Sequence, residues 1–227
     1  MSGQKSLAIV AGAGAGLGQS LLSRFEGDGY NVIGLGRTPP PDPVGEFHTL
    51  DLADANAVTS KIQALIEANG APKVVIHNTA ELVISPFGST TLDDFTRTWT
   101  SMVQSAFLLG QSTLPAMVKA GGGSFIVSGA TASLRGGAKF AAFASAKFAL
   151  RGLTQSLARE YQPQGVHVCH VILDGIIDTA RSRDLHSLDP KNMMLPDDIS
   201  EAYWQLTQQP KSTWTHELDL RPASEGF

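Results

Sequence analysis

Apolar residues are set along this chain in two rhythms. Short runs rich in β-branched residues recur at LAIVA (7–11), YNVIGL (30–35), KVVIH (73–77), SFIVS (124–128) and VHVCHVIL (166–173), and a last run, HELDLR (216–221), follows. The main runs are apolar at successive positions instead of alternating, the pattern of strands covered on both faces. Between them, apolar positions recur at helical spacing over about 16–27, 54–69, 92–119, 138–161 and 197–208. Alternation of strand and helix calls for right-handed crossovers that lay helices on both sides of a parallel sheet. The pattern predicts an α/β fold, a doubly wound parallel sheet of about seven strands in one domain spanning 1–227.

Local chemistry sharpens some boundaries. Thr91-Leu-Asp-Asp94 opens the third helix with a capping-box pattern, and its acids suit the positive end of the helix dipole. Pro115 is expected to end or kink that helix, because its ring displaces a hydrogen bond. TPPPDPVGE (38–46) is too proline-rich for a regular strand or helix. Residues 180–196 follow a strand's C-terminal end and mix charge with Met193 and Met194, the setting of a mobile lid over a ligand.

Composition narrows the class. With 42% hydrophobic and 17% charged residues the chain can bury one sizeable core, and a formal net charge of -4 gives no reason to expect binding to nucleic acid or to an anionic membrane. No run approaches the length of a membrane span. The single cysteine, Cys169, cannot form an internal disulfide, so a reducing, cytoplasmic location is expected. SLAIVAGAGAGLG imitates a signal sequence, but glycine at every second position from Gly12 breaks the helical core such a peptide needs.

AGAGAGLG (11–18) lies between the first strand and the first helix, where glycines let a backbone approach a pyrophosphate that meets the free N–H groups of the helix N-terminus. The strict GxGxxG spacing fails from Gly12 because Leu17 occupies its last place, whereas GxxxGxG fits as Gly12, Gly16 and Gly18. The alternative is a tight turn serving close helix packing alone. In this context the loop points to a Rossmann-type dinucleotide site.

With that loop in place, the chain resembles the short-chain dehydrogenase/reductase family along nearly its whole length. The resemblance rests on ordered matches: GxxxGxG, then Asp51-Leu52, HNTA (77–80) with Asn78 and Ala80, Lys147 on the lysine of YxxxK, and DGIIDT (174–179) with Gly175 and Thr179. It implies that Gly12, Gly16, Leu17, Gly18, Asp51, Leu52, Asn78, Ala80, Lys147, Gly175 and Thr179 bind a nicotinamide dinucleotide. Asp51-Leu52 would hold adenine, Lys147 the nicotinamide ribose and Thr179 the carboxamide. GLGRT (34–38) has no carboxylate for a ribose diol, and Arg37 either pairs with a 2′-phosphate or is an ordinary solvated arginine. NADP(H) is expected ahead of NAD(H).

In the family, a tyrosine, a serine and an asparagine act with the lysine, and the alignment places Phe143, Ala130 and Met102 at those three positions. Loss of a general acid typically costs about 10² to 10⁴ in rate, and loss of an oxyanion donor on the order of 10² to 10³. Three readings remain open. An oxidoreductase with a non-standard site would draw on another hydroxyl, Ser128 or Thr131, beside Lys147. A catalytically silent NADP(H)-binding sensor or regulatory subunit would keep the binding loop alone. In a plain scaffold, Lys147 would snorkel to solvent.

Elsewhere, His167 and Cys169 share one strand face and His170 takes the other, so they are expected to pack and not to bind metal. His77 is expected to be packed or hydrogen-bonded. The helix over 138–161 is apolar on more than one side (Phe143, Phe148, Leu150, Leu153, Leu157), and the resemblance implies a homodimer or homotetramer through it. Nothing in the chain identifies the small-molecule substrate.

Overall fold

Each of the six apolar runs becomes a strand, and a seventh joins them. The computed structural model describes residues 5–224, so both ends of the 1–227 range lie outside the described residues. The strands are β1 (Leu7–Ala11), β2 (Asn31–Gly36), β3 (Glu46–Thr49), β4 (Val74–His77), β5 (Gly123–Ser128), β6 (Val166–Leu173) and β7 (Glu217–Leu220). They form one all-parallel sheet in the order β3-β2-β1-β4-β5-β6-β7. The helices are α1 (Leu17–Gly27), α2 (Ala55–Asn69), α3 (Leu92–Trp99), α4 (Ser105–Lys119), α5 (Ala141–Tyr161), α6 (Ala180–Leu185) and α7 (Pro196–Thr207).

Two cores explain why the strands read as unbroken apolar runs. Ile9, Val75, Phe125, Val127 and Val168 face Ile62 of α2, Leu109 of α4 and Leu150 of α5. Their strand neighbours Val10, Ile76, Ile126, Cys169 and Val171 turn the other way, onto Leu21 and Phe25 of α1 and Tyr203 and Leu206 of α7. Both faces of the central strands therefore meet a helix layer, which favours apolar residues on each. β3, by contrast, is a half-exposed edge strand with the sequence EFHT, which has no apolar run to reveal it.

Several boundaries depart from the pattern, each for a local reason. The run over 92–119 opens with the expected capping box, Asp94 N–H donating to Thr91 Oγ1 at 3.0 Å and Thr91 N–H to Asp94 Oδ2 at 3.1 Å. It is then interrupted by a π-helical turn, Thr100–Gln104. It does not stop at Pro115; α4 continues to Lys119. The carbonyl that Pro115 leaves without a donor belongs to Gln111, and both residues are exposed, so the lost bond falls on the solvent side of the helix. α5 begins at Ala141 and not at 138, because Lys139 adopts φ 70°, outside any right-handed helix.

The segment 180–196 is more ordered than a bare lid. It holds α6 and a 3-10 turn (Pro190–Asn192), and Met194 is stitched to the strand end by Met194 N–H to Ile176 O and Asp178 N–H to Met194 O, both 2.8 Å. On β6, the His167 ring stacks on Trp214 at 4.9 Å, with Nε2 2.8 Å from Thr215 O. His170 lies on the opposite face, with Nε2 3.1 Å from Ser133 Oγ. β7 is latched to α5 by Arg151, whose two bonds to Glu217 are both 2.8 Å and hold that carboxyl down at about 2.

Buried imidazoles make stability depend on pH, and burial lowers His167 in the same direction as the two that shift most. Burial, reinforced by the Lys147 ammonium, pushes both His77 and His170 from the ordinary 6.5 down to about 3. The unfolded chain therefore takes up these protons first: the full stability is present above about 6.5 and is lost as the pH falls toward 3, at about 1.4 kcal/mol per unit for each ring. Urea unfolding between pH 7 and 5, above the range in which Glu217 titrates, should show a falling midpoint, and His77→Asn should make the slope shallower. A midpoint flat across that window would refute the assignment.

Candidate functional site

Strand order reverses between β1 and β4, so the loops leaving those two strands diverge and open a crevice at their C-terminal ends. A cleft of about 520 Å³ lies there. It brings together Gly12, Leu17 and Gly18 from the glycine loop with Arg37, Asp51, Leu52, Asn78, Ala80 and Thr179, all marked by the sequence. Gly14, Glu81, Ser101 and Arg181 also line it, and none of the four was singled out as a binding residue by the sequence. Gly175 packs instead against Pro222, which a Cβ there would approach to 2.7 Å.

The glycines are needed for two reasons. Gly12 (φ 88°) and Gly16 (φ 96°) lie in the region that favours glycine. Contact adds to this: a Cβ on Gly12 would collide with the Asn78 carbonyl, and one on Gly16 would stand 2.7 Å from the Thr179 methyl. A Cβ on Gly14 would meet nothing within 4 Å, so the loop's surface there is open to the cleft.

A directed chain of hydrogen bonds holds the loop. Asn78 Nδ2 donates to Gly12 O at 3.2 Å, and Asn78 Oδ1 accepts from Ser128 Oγ at 2.9 Å. Having spent its one hydrogen, Ser128 Oγ accepts from the Tyr203 hydroxyl, also at 2.9 Å. Tyr203 is fully buried, and burial raises its pKa, so the phenol stays a donor. Ser128 is therefore not a free hydroxyl: it is buried and committed to Asn78 on the sheet face opposite α5.

Lys147 and Phe143 share a face of α5, as their spacing requires, with Nζ 5.8 Å from the ring centroid. The ammonium does not snorkel. Lys147 is 2% exposed, its Nζ donates to Ser128 O at 2.9 Å, and burial pulls its pKa down to about 8. Met102 is fully buried within the π turn. Ala130 gives its N–H to Ser133 Oγ at 3.1 Å. Thr131 differs from Ser128: its hydroxyl donates to the carboxylate of Asp174. That acid, 3% exposed, is held by Arg221 at 2.9 Å, with Arg135 at 4.0 Å. No sequence spacing pointed to this partner, because it comes from the end of β6.

The π turn has its own polar cluster. Ser101 O accepts from Thr79 Oγ1 at 2.7 Å and from Ser105 Oγ at 2.6 Å. His77 Nε2 lies 2.8 Å from Ser105 Oγ and 3.0 Å from Thr79 Oγ1, so with both hydroxyl hydrogens given away the ring proton sits on Nε2. At the outer end of the cleft Arg37 is 72% exposed and only loosely paired, 3.7 Å from Glu81. Asp51 Oδ1 accepts the Ala53 N–H at 3.0 Å, and Thr179 Oγ1 caps α6 by accepting the Ser182 N–H at 3.1 Å.

The directed chain gives an ordering of variants. Tyr203→Phe removes one neutral hydrogen bond and should cost about 1 kcal/mol, whereas Ser128→Ala strands both Tyr203 and Asn78 and should cost about 2 to 3 kcal/mol. Denaturant unfolding of the two variants measures this, and a larger loss for Tyr203→Phe would contradict the donor directions.

Comparison with known proteins agrees with this fold. A short-chain dehydrogenase from Rhodopseudomonas palustris is 33% identical, with 96% of this chain and 98% of that one covered and a TM-score of 0.80. An alcohol dehydrogenase from the archaeon Thermococcus sibiricus, complexed with 5-hydroxy-NADP, shares the fold at a TM-score of 0.87 and 21% identity, with 98% of each chain covered. An uncharacterised oxidoreductase of Staphylococcus aureus strain USA300 is 25% identical over 230 residues, 95% of this chain and 96% of its own. Residues 6–188 match the family described as short chain dehydrogenase, and the chain belongs to that family.

Proposed function

We propose that this protein is an NADP(H)-binding oxidoreductase with a non-standard active site. The observation that carries the proposal is the cleft at the sheet's switch point, where the open glycine loop, Asn78 and the exposed Arg37 converge. These residues fit a dinucleotide. Gly14 leaves space over the loop for a bulky anion, and Arg37 is held too loosely by Glu81 to resist turning to a 2′-phosphate. Asp51 and Leu52 would flank adenine, and Thr179 and Lys147 the nicotinamide end. The same fold holds 5-hydroxy-NADP in the Thermococcus protein.

The nicotinamide would supply or accept a hydride. What distinguishes this chain is the proton. The side chains of Phe143 and Ala130, at the places of the family's tyrosine and serine, bear no acidic proton. Thr131 is the one sequence candidate whose hydroxyl has a base attached. The hydrogen bond from Thr131 to Asp174 sets out a relay in which a substrate hydroxyl would give its proton to Thr131 Oγ as the threonine's own proton moves to Asp174, while Arg221 beside that carboxylate keeps it ionised at rest.

A second reading is a silent NADP(H)-binding sensor or regulatory subunit, favoured by the fully buried Met102 at the place of the family's asparagine. In either case a homodimer or homotetramer is proposed, since Phe107 of α4 and Phe148 of α5 are 50% and 45% exposed. Among the described residues no helix is long and apolar enough to cross a membrane.

Nucleotide titration and a substrate screen test these readings together. NADPH should bind more tightly than NADH, and binding should weaken as the pH rises through about 8, where the Lys147 ammonium loses its proton. Lys147→Met should abolish that dependence. Thr131→Val should remove what turnover the protein has, while Phe143→Tyr with Ala130→Ser should raise carbonyl reduction by at least about a hundredfold. Turnover in the double variant alone would establish the silent reading, and no nucleotide binding by the unaltered protein would reject both.

A further inference from the structure

We infer that Arg181 is a phosphate-binding residue that closes over the pyrophosphate of the bound dinucleotide, an assignment that rests on the nucleotide site proposed above. The first support is the state of its guanidinium. Of the nine arginines in the chain, eight hold an ion pair or hydrogen bond: Arg24, Arg37, Arg97, Arg135, Arg151, Arg183 and Arg221 with carboxylates, and Arg159 with a carbonyl. Arg181 alone has no such partner among the described residues, although it lines the cleft. Its neighbour Arg183 faces elsewhere, locked to Asp178 by bonds of 2.6 and 2.7 Å.

Position supplies the second support. Thr179, the cap of α6, is pressed so closely on the glycine loop that a Cβ on Gly16 would come within 2.7 Å of its methyl. The first turn of α6 therefore stands across the cleft from Gly14 and Ala15, and Arg181 is two residues beyond the cap. An arginine there can reach an anion lying on the loop with two parallel N–H bonds.

Charge supplies the third. The ionisable side chains lining the cleft are Arg37, Asp51, Glu81 and Arg181. Without Arg181 the acids outnumber the bases, a wall unsuited to a ligand whose pyrophosphate alone brings two negative charges. The glycine loop AGAGAGLG contributes no cation. Arg37, leaving β2 and paired with Glu81, serves the adenosine end, so Arg181 is the cation left for the pyrophosphate.

The assignment separates two parts of the ligand, and calorimetric titration of NADPH, NADH and adenosine 2′-monophosphate reads them independently. Arg181→Ala should weaken NADPH and NADH by the same factor, about tenfold to a hundredfold, and leave adenosine 2′-monophosphate unchanged. Arg181→Lys, which keeps the charge and loses the fork, should fall between. Arg37→Ala should do the reverse, weakening NADPH and adenosine 2′-monophosphate and sparing NADH. Because Arg181 is exposed, an unchanged melting temperature should accompany each Arg181 variant. Dinucleotide binding unaffected by Arg181→Ala, or an equal loss for adenosine 2′-monophosphate, overturns the role of Arg181 while the nucleotide site stands. Failure of the unaltered protein to bind any of the three ligands overturns the site and the role together.

Discussion

The contact between the glycine loop and the turn after β4 is the constraint on which the rest of the cleft depends. Gly12 can lie against the Asn78 carbonyl only because it has no Cβ and tolerates φ 88°. That approach sets Asn78 Nδ2 on Gly12 O, which in turn orients Asn78 Oδ1 toward Ser128 and so toward Tyr203 of α7. Loop, β4 turn, β5 and α7 are thereby fixed to one another by a single relay of donors. On the far side, Gly12 and Ala13 both give their N–H groups to Leu35 O at the end of β2, at 2.8 and 3.0 Å. The loop is held from both neighbouring strands before any ligand arrives, so binding need not order it.

The same economy of hydroxyls shapes the other half of the site. In the long helical run, Thr98, Thr100 and Ser105 each donate to a carbonyl four residues back, and Thr79 reaches in from the β4 turn to Ser101 O. Such bonds compete with the regular ladder, and the helix here widens into a π turn. Met102 sits in that turn with no polar atom other than its backbone and sulfur to offer the cleft. Lys147 gives its Nζ hydrogen bond to the Ser128 carbonyl, and burial of its charge lowers its pKa to about 8.

These facts divide the chemistry unevenly. Everything proposed for holding a dinucleotide sits on rigid strand ends and helix starts, and is mostly backbone or charge. Everything proposed for moving a proton has been reduced to the single pairing of Thr131 with Asp174, whose ion pairs with Arg221 and Arg135 keep a buried carboxylate compensated.

Much of this was legible in the chain. Unbroken apolar runs meant strands covered on both faces, and glycines between a strand and a helix meant a close backbone approach; both are local consequences of period and of φ. The apolar rhythm did not mark the edge strand β3, because a half-exposed EFHT carries no apolar run. Nor was the passage of α4 through Pro115, which depends on whether the freed carbonyl faces water. Spacing put Phe143 and Lys147 on one helix face, but it could not say that Ser128 was already engaged or that Thr131 had a base, since Tyr203 and Asp174 are 75 and 43 residues away. Nor could it single out Arg181, an ordinary charge in an irregular segment until α6 brought it to the wall of the cleft. Period, backbone freedom and helix spacing are properties of neighbours in the chain, whereas the partner of a buried hydroxyl or a lone guanidinium exists only once distant strand ends have been brought to one edge of the sheet.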